Sequence, residues 1–142
     1  MTDFQLDVDV AEDHVATITF ARGPNNYFSE PLVTAIADAL DELAATNTAR
    51  AVVLAGAGKH FCAGADLRDK DTLDMAVQSD RPHLYDAAVR LFEQPLPVVA
   101  AIQGGAIGGG LGLAMACDLR VASADARFAA PFARLGTHHG FG

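Results

Sequence analysis

The sequence predicts a single α/β domain, and three observations carry that expectation. Residues 51–55 (AVVLA) and 98–102 (VVAAI) are wholly apolar runs, the pattern of strands covered on both faces. Segments with apolar residues at helical spacing alternate with them, giving the strand–helix order of an α/β fold. Each apolar run is followed by a glycine-rich loop, which places both loops at the carboxyl ends of the strands, where ligands usually bind in such sheets.

The elements follow in order. Phe4, Leu6, Val8 and Val10 alternate with polar residues, and Ile18 and Phe20 alternate with Val15, Thr17 and Thr19. With a turn at residues 11–14 between them, these two period-2 segments predict a β-hairpin. Past a Gly-Pro-Asn-Asn loop at residues 23–26, Ser29 suits a helix N-cap, with Glu30 and Pro31 in the first turn. Leu32, Ile36, Leu40 and Leu43 then form one face of a helix ending near Asn47. The buried strand at 51–55 leads into a glycine-rich loop, residues 56–64. The charged stretch from Arg68 to Arg81 gives no clear periodicity. Leu84, Ala88, Leu91 and Phe92 mark a second amphipathic helix, stopped by the two prolines in residues 94–97. After the strand at 98–102, residues 104–110 turn the chain and residues 111–117 form a buried helix. Short strands follow at 119–122 and 127–129. No repeat or linker divides the chain, so residues 1–142 read as one domain.

Composition narrows the function classes. With 51% hydrophobic and 20% charged residues, the chain is of globular type. A net charge of −8 argues against nonspecific nucleic-acid binding, so any anionic ligand must be held by local arginines, lysines or backbone amides. Cys62 and Cys117 stand alone in sequence, as expected of reduced thiols in a cytoplasmic protein. The first residues lack a basic segment followed by an apolar one, so no secretory signal is read there. Residues 94–117 carry no charge, but their glycines and prolines fit a buried strand, turn and helix and not a membrane span.

The glycine loops match no nucleotide-binding motif: GxxxxGK[ST] and GxGxxG are both missing, as are GxSxG and any HExxH-like histidine spacing. Cys62 reads as a buried structural thiol, and no metal site is expected. What remains is Gly108, Gly109 and Gly110 opening an apolar helix. The first amides of that helix lack intrahelical partners and stand at the positive end of its dipole, so they suit a developing oxyanion. Ala63, Gly64 and Ala65 form a second small-residue loop at a strand end. From spacing alone, tight strand–helix packing explains the small residues as well as an oxyanion hole does.

Several co-linear motifs break this tie. FCAGADL at residues 61–67 and PVVAAIQGGAIGGGLGLAMACD at 97–118 resemble the signature segments of the crotonase (enoyl-CoA hydratase/isomerase) superfamily. RGPNN at 22–26, RVASADARF at 120–128 and LGTHHGFG at 135–142 extend the likeness over nearly the whole chain, with residues 68–81 as the variable part. The resemblance implies the family's N-terminal, acyl-CoA-binding part: a crotonase-like ββα-type core with an N-terminal hairpin and helices packed on the sheet. It implies oxyanion-hole amides at Ala65 and Gly109, gripping a thioester carbonyl. It places coenzyme A along Ala63, Ala65, Asp66 and Leu67, as part of the substrate and not as a separate cofactor. Arg22 and Lys59 are candidates for its phosphates, or ordinary surface charges. Asp118 and Asp66 read as structural hydrogen-bonding residues.

The likeness is broken where hydratases of the family carry two catalytic glutamates, since those positions are Gly112 and Phe132. A positioned acid or base contributes roughly 10²–10⁴-fold, so efficient hydration is not expected. Phe132 would instead give the acyl pocket an apolar wall. His138 and His139 are candidate replacement bases, or exposed loop residues. The sequence also stops where the family's chains continue, before the helices that cover the acyl pocket and build a homotrimer or dimer of trimers. Three readings result: a lyase or isomerase of acyl-CoA (fatty-acid) metabolism working through an enolate, a non-catalytic acyl-CoA-binding protein, and an inert fragment.

Overall fold

The computed structural model describes residues 3–68, 84–136, 138 and 141. Gln5–Val10 (β1) and Val15–Ala21 (β2) form the expected antiparallel hairpin, with Leu6 opposite Phe20 and Val8 opposite Ile18. Its turn closes through hydrogen bonds between Ala11 and Val15 and between His14 and Ala11. Ala51–Gly56 (β3), Val98–Ile102 (β4) and, later in the chain, Leu119–Ala122 (β6) continue the sheet in parallel, in the order β1-β2-β3-β4-β6.

Register aligns the core. Ala16, Val52 and Val98 lie side by side, then Ile18, Leu54 and Ala100, so every fully covered side chain of the central strands points to one face. On that face lie Glu30–Thr46 (α1), through Leu32, Val33, Ile36, Ala37, Leu40 and Leu43, and Leu84–Phe92 (α2), through Ala87, Ala88 and Leu91. The opposite face, with Thr17, Thr19, Val53, Ala55, Val99 and Ala101, is half-buried. The expectation of strands covered equally on both faces is therefore corrected: small and β-branched residues on the second face mimic a buried run in sequence. On β1, Val8 and Val10 alternate as predicted but stay exposed, because this strand lies at the sheet edge.

The local signals for α1 work as read. Ser29 has extended backbone geometry and its Oγ accepts a 3.4 Å hydrogen bond from the Leu32 N–H, while Asn47, at φ +52°, ends the helix. Two boundaries differ near the glycine triplet. The segment read as a plain turn contains a short strand, Gly105–Ile107 (β5), which pairs in parallel with Arg127–Ala129 (β7) as a second small sheet. The following helix, Gly109–Ala116 (α3), starts two residues earlier than expected. Glycines 110 and 112 can sit inside it because packed groups occupy the space a side chain would need: a Cβ on Gly110 would lie 2.2 Å from the Cys62 carbonyl oxygen.

Candidate functional site at two adjoining glycine loops

The loop after β3 is fixed from both sides. Phe61 is fully buried edge-on against Phe20, with ring centroids 5.5 Å apart. Cys62 bridges Ala106 on β5, donating its N–H to the Gly105 oxygen and accepting from the Ile107 N–H, each at 3.0 Å. Ala63 turns the other way and donates to the Asn25 oxygen at 3.1 Å. Asn26, nearly fully buried, holds the start of this loop: its side-chain amide donates to the Ala57 and His60 oxygens, and its Oδ1 accepts from the Arg22 N–H.

Gly64 then reverses the alternation. At φ +86° it adopts a conformation that a side chain would strain, and a Cβ there would lie 2.7 Å from the Ile107 oxygen. Its carbonyl accepts the Phe28 N–H at 2.8 Å. In a planar trans peptide the next N–H points opposite to that carbonyl. The Ala65 amide is therefore directed away from the Phe28 backbone, on an exposed residue.

The same argument applies at the start of α3. Gly108, at φ +54°, donates to the Ala129 oxygen at 2.8 Å, and its carbonyl accepts the Gly112 N–H at 3.0 Å. The Gly109 amide consequently points out of the helix, at the positive end of its dipole. The two loops touch directly, since the Cβ position of Gly64 is 4.0 Å from the Gly108 Cα. Phe28 joins them: its backbone bridges Ala65, and its ring lies 2.8 Å from the Cβ position of Gly109.

The positions lacking glutamate are apolar in space as well. A Cβ on Gly112 would lie 2.4 Å from the Phe141 oxygen and 2.5 Å from its ring. Phe141 is buried and stacks at a tilt on Phe28, with centroids 5.2 Å apart, and meets Phe92 edge-on. Phe132 begins the short 3₁₀ turn Phe132–Leu135 and brings its ring tip to 3.9 Å from the Cβ position of Gly108.

The remaining candidates divide. Asp66 is clamped by Arg68, whose Nε and Nη2 donate at 2.9 and 3.0 Å, and these hydrogen bonds hold its carboxyl below the usual carboxylate value. Arg68 in turn lies over the Tyr27 ring, 5.5 Å from its centroid. Leu67 is exposed, and Ala63 is half-buried. Arg22 is engaged within the fold, pairing with Asp3 at 2.5 Å and donating to the Tyr27 oxygen at 3.2 Å. Lys59 is exposed at a cleft of about 410 Å³ that Ala63, His60 and Arg127 also line. His138 is exposed, whereas His139 lies outside the described residues. Asp118 links two strands, its carboxylate accepting the Val98 N–H at 2.8 Å and its N–H returning to the Val98 oxygen at 2.9 Å. Burial pushes the Cys62 and Cys117 thiols up to about 12. Among the described residues no group of three His, Cys, Asp or Glu could hold a metal, and no helix is long and apolar enough to cross a membrane.

Sequence reading missed three residues that build this site. Asn26, Phe28 and Phe141 act through contacts distant in sequence. Only the uncommon pair of asparagines after the hairpin hinted at the first.

Comparison with known proteins gives the family and the fold. Residues 10–142 match a family profile described as enoyl-CoA hydratase/isomerase. A Bacillus subtilis (strain 168) protein named as a probable enoyl-CoA hydratase is 34% identical over 134 residues, covering 92% of this chain and 51% of that protein. The 1,2-epoxyphenylacetyl-CoA isomerase of Escherichia coli (strain K12) is 34% identical over 133 residues, covering 88% of this chain and 50% of the isomerase. A crystal structure from Legionella pneumophila, described as a candidate enoyl-CoA hydratase/isomerase (crotonase), superposes with a TM-score of 0.78 at 33% identity, over 96% of this chain and 54% of that one. The chain thus spans about half the length of the curated relatives it matches.

Proposed function

The chain belongs to the enoyl-CoA hydratase/isomerase family, with a crotonase-type fold, and from that premise we propose that it binds an acyl-CoA thioester and stabilises negative charge on the thioester oxygen. The amides of Ala65 and Gly109 would form the oxyanion hole. The observation that carries this reading is the orientation of two peptides. The Gly64 and Gly108 carbonyls are both taken by fold hydrogen bonds, which leaves the following N–H groups pointing out of adjoining loops. When a base takes the proton from the carbon next to the thioester carbonyl, the C–H electron pair forms the enolate double bond and the carbonyl π pair moves onto that oxygen. Two pre-aimed amides stabilise the resulting enolate without any reorganisation, and one such donor is worth about 3–4 kcal/mol. Ala63, Asp66 and Leu67 would line the coenzyme A portion, with Lys59 at its rim.

A second reading, binding without efficient hydration, is favoured by Gly112 and Phe132. No carboxylate stands at either position to activate water, and Phe141 fills the space beside the first. Hydration of crotonyl-CoA is then expected far below ordinary hydratase rates, since each positioned acid or base contributes roughly 10²–10⁴-fold.

The test is thermal unfolding with butyryl-CoA against free coenzyme A. A thioester at 100 times its dissociation constant adds about 2.7 kcal/mol of stability. A larger rise in Tm with butyryl-CoA than with coenzyme A is the expected result. No rise with either ligand at millimolar concentration would dismiss the reading.

A further inference from the structure

The loop after β3 pairs with β5 as a regular parallel ladder at one end only. Around Ala106, Cys62 donates its N–H to the Gly105 oxygen and its own oxygen accepts the Ile107 N–H, each at 3.0 Å. Two residues earlier, the same pattern would send the Gly105 N–H to the His60 oxygen. That oxygen instead accepts the Asn26 side-chain amide at 2.8 Å. The Gly105 N–H goes to the His60 ring, where Nδ1 accepts it at 2.9 Å. Gly105 is buried, so this amide depends on a partner within the fold. The ring can approach because residues 104 and 105 carry no side chain: a Cβ on Gly104 would lie 2.7 Å from Nδ1, and one on Gly105 3.3 Å.

A backbone N–H only donates, so Nδ1 is the bare nitrogen of the ring and the ring hydrogen sits on Nε2. The three residues of β5 run directly into Gly108, whose carbonyl orients the Gly109 amide. The same strand walls the other loop, since a Cβ on Gly64 would lie 2.7 Å from the Ile107 oxygen. We infer that His60 is a positioning residue: its Nδ1 fixes the start of β5, and β5 fixes the Gly109 amide relative to that of Ala65. The inference rests on the reading of those two amides as an oxyanion hole. Asparagine places its Oδ1, an acceptor, where histidine has Nδ1, whereas glutamine reaches the Nε2 position and misses the Gly105 N–H.

Two measurements on the 142-residue chain test this. Without ligand, long-range nitrogen–proton correlation spectra of the imidazoles should show His60 as the Nε2–H tautomer. The Gly105 amide should exchange slowly in wild type and His60→Asn, and at least severalfold faster in His60→Gln and His60→Ala. An Nδ1–H tautomer, or equal protection of Gly105 in every chain, overturns the hydrogen-bond role. The tautomer is read on the wild type, so it decides even where a variant fails to fold. The second measurement is isotope-edited infrared spectroscopy of bound butyryl-CoA labelled at the thioester carbonyl. Polarisation by the two amides lowers that stretching frequency from its value in water. The lowering should be kept in His60→Asn and reduced in His60→Gln, a difference that lost stability alone does not produce in folded, ligand-saturated protein. Asparagine and glutamine variants that behave alike overturn the link from His60 to the site. Failure of the wild type to bind butyryl-CoA removes the oxyanion reading and the positioning role with it. The tautomer and exchange results stand apart from ligand binding, so the two failures are distinguished.

Discussion

Single residues at the site are constrained more by what surrounds them than by their own chemistry. Gly64 combines a left-handed backbone with a backbone oxygen 2.7 Å from its Cβ position. Gly64→Ala should destabilise the chain by about 1–3 kcal/mol through strain alone, with the steric clash added, and, on the proposed function, should weaken butyryl-CoA binding by turning the Ala65 amide. Urea denaturation with calorimetry checks both, and wild-type stability in this variant would count against the described loop geometry. Gly112→Glu, combined with Phe132→Glu, introduces two carboxylates in sequence, but Phe141 occupies the space of the first. A lower Tm and no ordinary hydratase turnover on crotonyl-CoA are expected; brisk turnover would show that Phe141 moves aside readily. Both thiols, pushed up to about 12 by burial, should resist a disulfide reagent at pH 8 in the native chain and react fully in guanidinium. At this scale the glycine triplet and the loop around Ala65 were legible as motifs. The partners Phe28 and Phe141 were not, since a phenylalanine far off in sequence carries no mark of the glycine it will cover.

Elements were legible where local chemistry decides them. The Ser29 cap and the apolar stripe of α1 needed no tertiary information, and Ser29→Ala should cost about 1 kcal/mol in chemical denaturation. The packing of α1 against α2 is joined by Arg90, which donates to Asp38 and Asp41, while Gln94 also donates to Asp41. Hydrogen bonds from Arg90, then from Gln94, hold the Asp41 carboxyl below its usual 3.8. A carboxyl depressed in the folded state contributes stability above the unfolded value, and that contribution is lost as pH falls through the lower folded one. Arg90→Ala should therefore be less stable than wild type at neutral pH, by at most about 1 kcal/mol because the pairs are exposed. The two unfolding curves should converge well below pH 3.8; a constant gap down to pH 2 would exclude the ion pairs as its cause. The elements misread from sequence, β5 and the first turn of α3, are both glycine-rich. Their conformations are set by partners on β7 and in the Cys62 loop, not by propensity.

Across the whole molecule, coverage is uneven. Leu119 and Val121 on β6 are 62% and 65% exposed, and β6 is the last strand of the five-stranded sheet. Phe128 and Leu135, which follow it in the chain, are also about half exposed. An apolar edge strand of this kind favours association. Sedimentation velocity of the chain should show concentration-dependent self-association that Val121→Lys reduces. A monomer at all concentrations in the wild type would contradict this.

Sequence alone determined the strand–helix order, the hairpin, the cap of α1 and the two small-residue loops, because each depends on residues within a turn or two of one another. It also determined that Gly112 and Phe132 bring no carboxylate to the site. The tertiary structure decided which face of the sheet is covered, that β5 and β7 form a separate pair, and that Gly64 and Gly108 meet. It also decided the direction of the two amides. A peptide N–H is aimed by whatever binds the carbonyl on its other side, and for both Ala65 and Gly109 that is a hydrogen bond made only in the folded chain, one from Phe28 and one within α3.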